Sequence, residues 1–401
     1  MVPLLSGLTV VEASSFVAAP SAGLHLALLG ARVIRVDQSG GGPDFRRWPL
    51  AASGLSLYWE SLNRQKQSVA LDLGTPYGRD LLARLATAPS VDLFLTNFPA
   101  DGFLAHERLA RLRADLITVR VMGRADGGPA LDYSVNAALG FPLLTGPADL
   151  GDTPVNHVLP AWDLLTGATA ALAALAALRH REETGRGQEV RLPLADVAVA
   201  ATANLGMIAE ALSASSPRPR LGNAVFGAFG RDFTTACGAR LMILAITPRQ
   251  WAGLVEVLGL GPAVADLERR LGTSFARDEG ERFRHRDALF PMVEAAVAAR
   301  TLAELAPAFD ATGVCWERYR TIAEAAADPA LVAQNPLFTP LAQPSGTTSP
   351  MPGFPGRFTA VPPEPLRPAP HLGADTAAVL SELLGMSPAE TEALRAEGVL
   401  G

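Results

Sequence analysis

Leu8-Thr9-Val10-Val11-Glu12-Ala13 and Ala31-Arg32-Val33-Ile34-Arg35-Val36-Asp37 are two β-branched runs with a helical stretch between them. Pro20 lies near the start of that helix, Leu24, Leu28 and Leu29 give it an apolar face, and Gly30 ends it. Strand, helix and strand within about 30 residues make a βαβ unit, which requires a parallel sheet with a right-handed crossover. The rhythm continues with strands over 68–72, 91–97, 116–123 and 189–194, and a helix over 75–88. The fold class expected is therefore α/β, with a Rossmann-like parallel sheet in a large domain.

The turn after the first strand is Ser14-Ser15-Phe16-Val17-Ala18-Ala19-Pro20, without the GxGxxG fingerprint. No GxxxxGK followed by Ser or Thr occurs anywhere, so dinucleotide binding and nucleotide hydrolysis are set aside. The chain has 401 residues, enough for two domains, and 49% of them are hydrophobic against 18% charged. Its net charge of −6 is spread without single-sign blocks, which excludes an electrostatic footprint for nucleic acid. Cys237 and Cys315 match no metal or redox spacing; core burial and a reducing compartment are expected. The N-terminus lacks a signal-peptide pattern, and the Ala-rich run 168–178 is shorter than the ~20 residues a membrane span needs. The expectation is a soluble, cytoplasmic protein with no nucleic-acid or membrane partner and no metal.

A long helix over 164–181 carries alanines and leucines on more than one face, a pattern for packing all round. A further helix spans 196–212, and a Ser-, Pro- and Arg-rich stretch at 213–220 reads as a linker. This divides the chain into a large domain of 1–200 with 331–401, a connecting helix 201–212, and a smaller α/β domain of 213–330. The smaller domain reads as strands at 231–235, 240–246 and 314–319, with helices near 248–258, 281–299, 301–311 and 320–328. The Pro- and Gly-rich segment 336–370 reads as an irregular wrapping loop, followed by terminal helices over 375–384 and 388–397.

Asp163 opens the long helix. Aspartate is a preferred N-cap, worth ~1 kcal/mol, so capping is the plain reading of that residue. Gly40-Gly41-Gly42 followed by Arg46 and Arg47 can aim N–H groups and positive charge at a phosphate or carboxylate, or can be a mobile, solvated edge. His157, in a polar loop, is a substrate-binding candidate or a structural histidine.

Several strings in this order resemble the class III coenzyme A transferase family, which also contains acyl-CoA racemases. They are 28–37, 63–72 and 92–99, then Asp163 to Gly167, 179–188, and Ala369-Pro370-His371-Leu372-Gly373. The resemblance covers nearly the whole chain. It implies an interlocked homodimer, a coenzyme A thioester as substrate with no permanently bound cofactor, and Asp163 as the catalytic nucleophile. It also implies coenzyme A contacts at Val17, Ala18, Leu71, Asp72, Asn97 and Phe98. Gln38 stands where the family has a basic residue. The family's active-site glycine loop falls on the segment with Gly222, Gly227 and Gly230, here without its poly-glycine form. Phe16, Tyr133, Asn136, His157, Gly227 and Gly230 are the candidates for binding the acyl part. Stretches 41–49, 155–163 and 226–233 resemble the branch that moves CoA between the two carboxyls of mesaconate. Alternatives are an intermolecular transferase using a separate acid and a 2-methylacyl-CoA racemase. The racemase pairs its aspartate with a histidine in the preceding segment; Asp132-Tyr133-Ser134-Val135-Asn136 contains none, and Tyr133, with a reference pKa of ~10, is a poor base.

Overall fold

The computed structural model describes residues 1–401. The chain divides into two compact units, the first made of Met1–Leu139, His157–Ser215 and Pro329–Gly401, the second of Gly140–Asn156 and Ser216–Asp328.

The first unit holds strands β1 (Thr9–Ala13), β2 (Arg32–Gln38), β3 (Gln67–Leu71), β4 (Leu93–Thr96), β5 (Ile117–Met122) and β6 (Gln188–Pro193). Their order is β3-β2-β1-β4-β5-β6, and every neighbouring pair is parallel. Alternate side chains face opposite ways. Val11 packs in one core with Leu81, Leu85 and Val379, and Val10 in another with Leu26, Ala170 and Ala174. The second core belongs to the helices Ala18–Leu28 and Ala161–Thr184.

Small residues bring those two helices together. A Cβ on Gly167 would lie 1.8 Å from Ser21 Oγ and 2.7 Å from the Ala18 carbonyl oxygen, so only glycine permits this approach. The long helix is not packed all round, as its composition suggests. Thr166, Gly167, Ala170, Ala174 and Ala177 are buried on one stripe, while Leu172 remains 68% exposed. At 24 residues it is also longer than the alanine run alone implies, and long and apolar enough by composition to cross a membrane. Its buried stripe packs on the sheet and its last turns carry Arg179, Arg181, Glu182 and Glu183, which makes it a core helix. The helix expected over 196–212 is two, Leu194–Asn204 and Met207–Ser213, broken where Gly206 takes φ +75°.

The C-terminal segment covers the sheet edge. Ser68 N–H donates to Asp375 Oδ2 at 2.8 Å, Ala70 N–H to Thr376 Oγ1 at 3.1 Å, and Asp72 N–H to the Val399 carbonyl at 2.8 Å. Edge strand β3 thus leaves few free donors for other chains.

In the second unit, β7 (Phe229–Thr234), β8 (Arg240–Ala245) and β9 (Cys315–Arg318) form an antiparallel sheet. Phe229, Phe233, Trp251 and Phe290 pack in the core beside it. The segment Gly140–Asn156 clusters here rather than with the first part of the chain, because Arg220 donates to the carbonyls of Leu143, Pro142 and Thr153. Helix Gly261–Leu271 gave no recognised signal, and the stretch over 281–299 splits at His285. Cys237 and Cys315 are exposed, correcting the expectation of core burial.

The irregular loop expected over 336–370 contains a hairpin of β10 (Phe338–Ala342) and β11 (Thr348–Pro352) in the first unit. Glu60 fixes its turn, accepting the Ser345 N–H at 2.6 Å and hydroxyl at 2.9 Å. Proline in both strands hid it, since proline supplies no ladder donor.

Candidate functional site

Strand β1 is flanked by β2 on one side and β4 on the other, so the chain reverses direction across the sheet there. In open parallel sheets the crevice beyond the strand ends at such a point is where ligands bind. A cavity of about 350 Å³ lies there, lined by Ser14, Ser15, Gln38, Gly42 and Phe98 among others. Asn97 ties the two strand ends together, accepting Ser15 N–H at 3.0 Å and donating to the Ser15 carbonyl at 2.9 Å.

Next in the chain, Phe16 has φ +68°, a left-handed backbone that costs a non-glycine residue of order 1–3 kcal/mol. Its N–H donates to Asp44 Oδ2 at 3.1 Å. Asp44 is held in turn by Arg35, whose buried guanidinium also meets Asp37, Glu12 and Asn63. Burial would push the Arg35 guanidinium down, but Asp37, Asp44 and Glu12 raise it above its ordinary value. Lys66, also buried, binds both Glu12 oxygens at 2.8 and 3.1 Å, and burial pushes it down to about 8 despite that partner. This network gives the glycine loop after β2 a fixed anchor.

Asp163 is the third residue of the helix Ala161–Thr184. It is not the cap expected from its residue type: the N-cap position is Pro160, and no side chain there accepts a hydrogen bond. The cap comes from Asp132, in the short helix Asp132–Ala138, whose Oδ2 accepts the N–H groups of Trp162 at 2.6 Å and Asp163 at 3.2 Å. The Asp163 carboxylate makes no hydrogen bond or ion pair. Burial, then the charge of Asp132, push it up to about 6, and Arg47 opposes them. The helix N–H groups that could have held this carboxylate ionised are taken by Asp132.

Arg47 lies over the Phe16 ring, 5.5 Å from its centroid, and over the Tyr58 ring at 5.8 Å. The Tyr58 hydroxyl is buried without a hydrogen-bond partner, and burial raises its pKa well above the ordinary phenol value. Asp163, Arg47, Tyr58 and Phe16 therefore form one electrostatic group. Such a group has the parts that covalent catalysis by a carboxylate calls for, an unengaged carboxylate within electrostatic reach of a cation and a phenol.

The other sequence candidates fall as follows. Val17 and Ala18 are buried where β1 passes into the first helix, beside Phe16. Phe98 lines the crevice, whereas Leu71 is wholly buried and its carbonyl receives the Ser39 N–H. Asp72 accepts Gln38 Nε2–H at 2.8 Å, a bond that lowers its pKa, so Gln38 latches a turn at the wall of the crevice it lines. Arg46 lines a separate cavity of about 380 Å³ with Trp59 and His371. Tyr133 donates its hydroxyl to the Val158 carbonyl at 3.1 Å, and Asn136 accepts Trp162 Nε1–H at 3.2 Å. Gly227 and Gly230 belong to the second unit, where Gly230 pairs with Leu244 inside the sheet instead of forming a loop.

Sequence reasoning missed Asp132 as cap, Tyr58 and Asp44. The signal for the first was available: a helix opening Pro160-Ala161-Trp162 has no capping side chain of its own, so its first N–H groups need a partner from elsewhere.

The sequence profile of CoA-transferase family III matches residues 5–376. The chain belongs to that family. It is 49% identical, over 99% of its length and 98% of the relative's, to a 2-methylfumaryl-CoA isomerase of Chloroflexus aurantiacus. It is 32% identical to a succinate–glutarate CoA-transferase of Agrobacterium fabrum, over 95% of this chain and 96% of that one. Among solved structures it is similar to a CAIB/BAIF family protein from Brucella suis, with a TM-score of 0.77 and 27% identity, covering 96% of this chain and all of that one.

Proposed function

We propose that the protein moves coenzyme A between the two carboxyl groups of mesaconate, converting 2-methylfumaryl-CoA to 3-methylfumaryl-CoA. The observation that carries the chemistry is the Asp163 carboxylate, partly buried in the first turn of its helix and free of hydrogen bonds. The near-full-length likeness to a 2-methylfumaryl-CoA isomerase supports the substrate.

An Asp163 oxygen attacks the thioester carbonyl, expelling the CoA thiolate and forming a mixed anhydride. The thiolate then attacks the aspartyl carbonyl, giving an aspartyl-CoA thioester and free mesaconate. Mesaconate turns over and its other carboxylate attacks the aspartyl thioester, forming a second anhydride and releasing the thiolate again. Attack of the thiolate on the mesaconyl carbonyl yields the isomer and restores the Asp163 carboxylate. No proton is consumed overall, and each displacement is easier than one direct exchange. Arg47 offsets the charge of the acid's free carboxylate, and Tyr58 has the hydroxyl to donate to a developing oxyanion. Val17, Ala18, Asn97 and Phe98 are assigned to the coenzyme A chain in the crevice.

The working form is a homodimer in this reading. Leu131, Val158, Leu172, Leu205 and Leu212 are each more than two-thirds exposed, apolar side chains that a partner subunit would cover.

Purified protein incubated with 2-methylfumaryl-CoA alone yields the isomeric thioester. A requirement for an added acid acceptor would replace this reading with an intermolecular transferase, and exchange of an α-proton in deuterated water with a racemase. Hydroxylamine trapping labels Asp163. Light scattering gives twice the chain mass; a monomer would overturn the dimer.

A further inference from the structure

The cap on the catalytic helix is supplied from a distance, and its supplier is itself held in place. Asp132 is buried, with one oxygen on the Trp162 and Asp163 N–H groups. Its other oxygen, Oδ1, lies 2.8 Å from His157 Nε2. A carboxylate only accepts, so the imidazole presents its N–H there. Tyr133 packs edge-on against His157 with ring centroids 5.8 Å apart, and its hydroxyl holds the Val158 carbonyl. Asn136 holds the Trp162 indole. Helix Asp132–Ala138 is thereby clipped to both the loop before Asp163 and the first turn that carries it.

We infer that Asp132, oriented by His157, is a positioning residue for the transfer reaction: it takes the free N–H groups of the first turn, that of Asp163 included, leaving the Asp163 carboxylate free to attack. This rests on the reading of Asp163 as nucleophile. An acid in the first turn readily turns back onto its own helix N–H groups. There its lone pairs are engaged and its basicity falls, both of which blunt a nucleophile. With those donors already taken by Asp132, nothing on the helix competes for Asp163. The like charge beside it acts in the same direction, since a carboxylate of higher proton affinity is the stronger nucleophile. The other groups facing Asp163 are Arg47 from the loop after β2 and Tyr58 from helix Leu57–Asn63. His157 is linked to it through Asp132.

The test compares pH profiles of isomer formation, together with hydroxylamine labelling, for wild type, Asp132→Asn, Asp132→Ala, His157→Gln and His157→Ala. Asparagine keeps an acceptor for the helix N–H groups but removes the charge. Its acidic limb should move down by about one pH unit, with a plateau lowered several-fold. Alanine also removes the cap, and kcat should fall on the order of 100-fold with KM nearly unchanged. His157→Gln keeps a donor to Asp132 and should retain several-fold more activity than His157→Ala. A limb unmoved in Asp132→Asn, with label still on Asp163 and glutamine no better than alanine at 157, would overturn the positioning role alone. Label on another residue in wild type overturns the nucleophile reading and this inference with it.

Discussion

Glu12, Arg35 and Lys66 are wholly buried and fully partnered, whereas Asp163 is partly buried and holds no hydrogen bond. Both groups sit in the first unit, and both place charge where solvation is poor. In the network each carboxylate oxygen meets a cation, an amide or a hydroxyl; Ser14 Oγ–H, for example, donates to Glu12 at 2.9 Å. A Cβ on Gly23 would reach within 1.8 Å of Glu12, so even the neighbouring helix is shaped around that carboxylate. At Asp163 burial and the charge of Asp132 outweigh Arg47, and the helix N–H groups that could have relieved the carboxylate are given to Asp132. Charge that is satisfied holds structure; charge left unsatisfied is available for bond making.

The comparison is broken most severely by removing the unsatisfied group. Asp163→Ala should lower the rate of isomer formation by about a thousandfold or more, measured by separation of the two thioesters, with the secondary structure intact by circular dichroism. Lys66→Met leaves Glu12 Oε2 without a partner in the core, with Arg35 and Ser14 still on Oε1; urea unfolding should show a loss of about 3 kcal/mol. The double change Lys66→Met with Glu12→Leu should recover part of that loss, because both buried charges then go together.

Asp163→Asn should act in the opposite direction on stability. Below the ordinary carboxylate pKa of 3.8, Asp163 is protonated folded or unfolded and costs nothing. As pH rises from there to about 6, the unfolded chain releases its proton while the folded chain retains it, so stability falls through that window. Above it the ionised carboxylate costs roughly 2–3 kcal/mol, which the asparagine variant regains at pH 8 but not at pH 4. Denaturation at the two pH values measures this. The smallest effect is expected from Asn97→Ala, which unties β1 from β4 at the crevice. About 1–2 kcal/mol of stability is lost, with a rise in KM for the thioester.

The parallel sheet was legible because buried strands are written as runs rich in β-branched residues, such as 8–13 and 31–37, and because Gly30 and Gly185 end two of the helices between strands. Asp163 was legible as a special residue at a helix start. Its partner was not. Asp132 lies thirty-one positions upstream, and no local pattern announces which distant carboxylate will reach a helix end. Hairpin β10–β11 was hidden because Pro340 and Pro350 oppose each other in it, and composition alone then argues for irregular chain. The exposure of Leu172 and of both cysteines was unreadable because composition gives the polarity of a helix or strand but not which of its faces finds a neighbour.

The bond from the Phe16 amide to Asp44 has a dynamic consequence. Its proton can exchange with solvent only when Asp44 leaves, and Asp44 is held by a guanidinium buried in the unit's core. That single amide, at the lip of the crevice, should therefore exchange as slowly as the central strands. Its exchange clock would report in real time on the integrity of a charge network several residues beneath the surface.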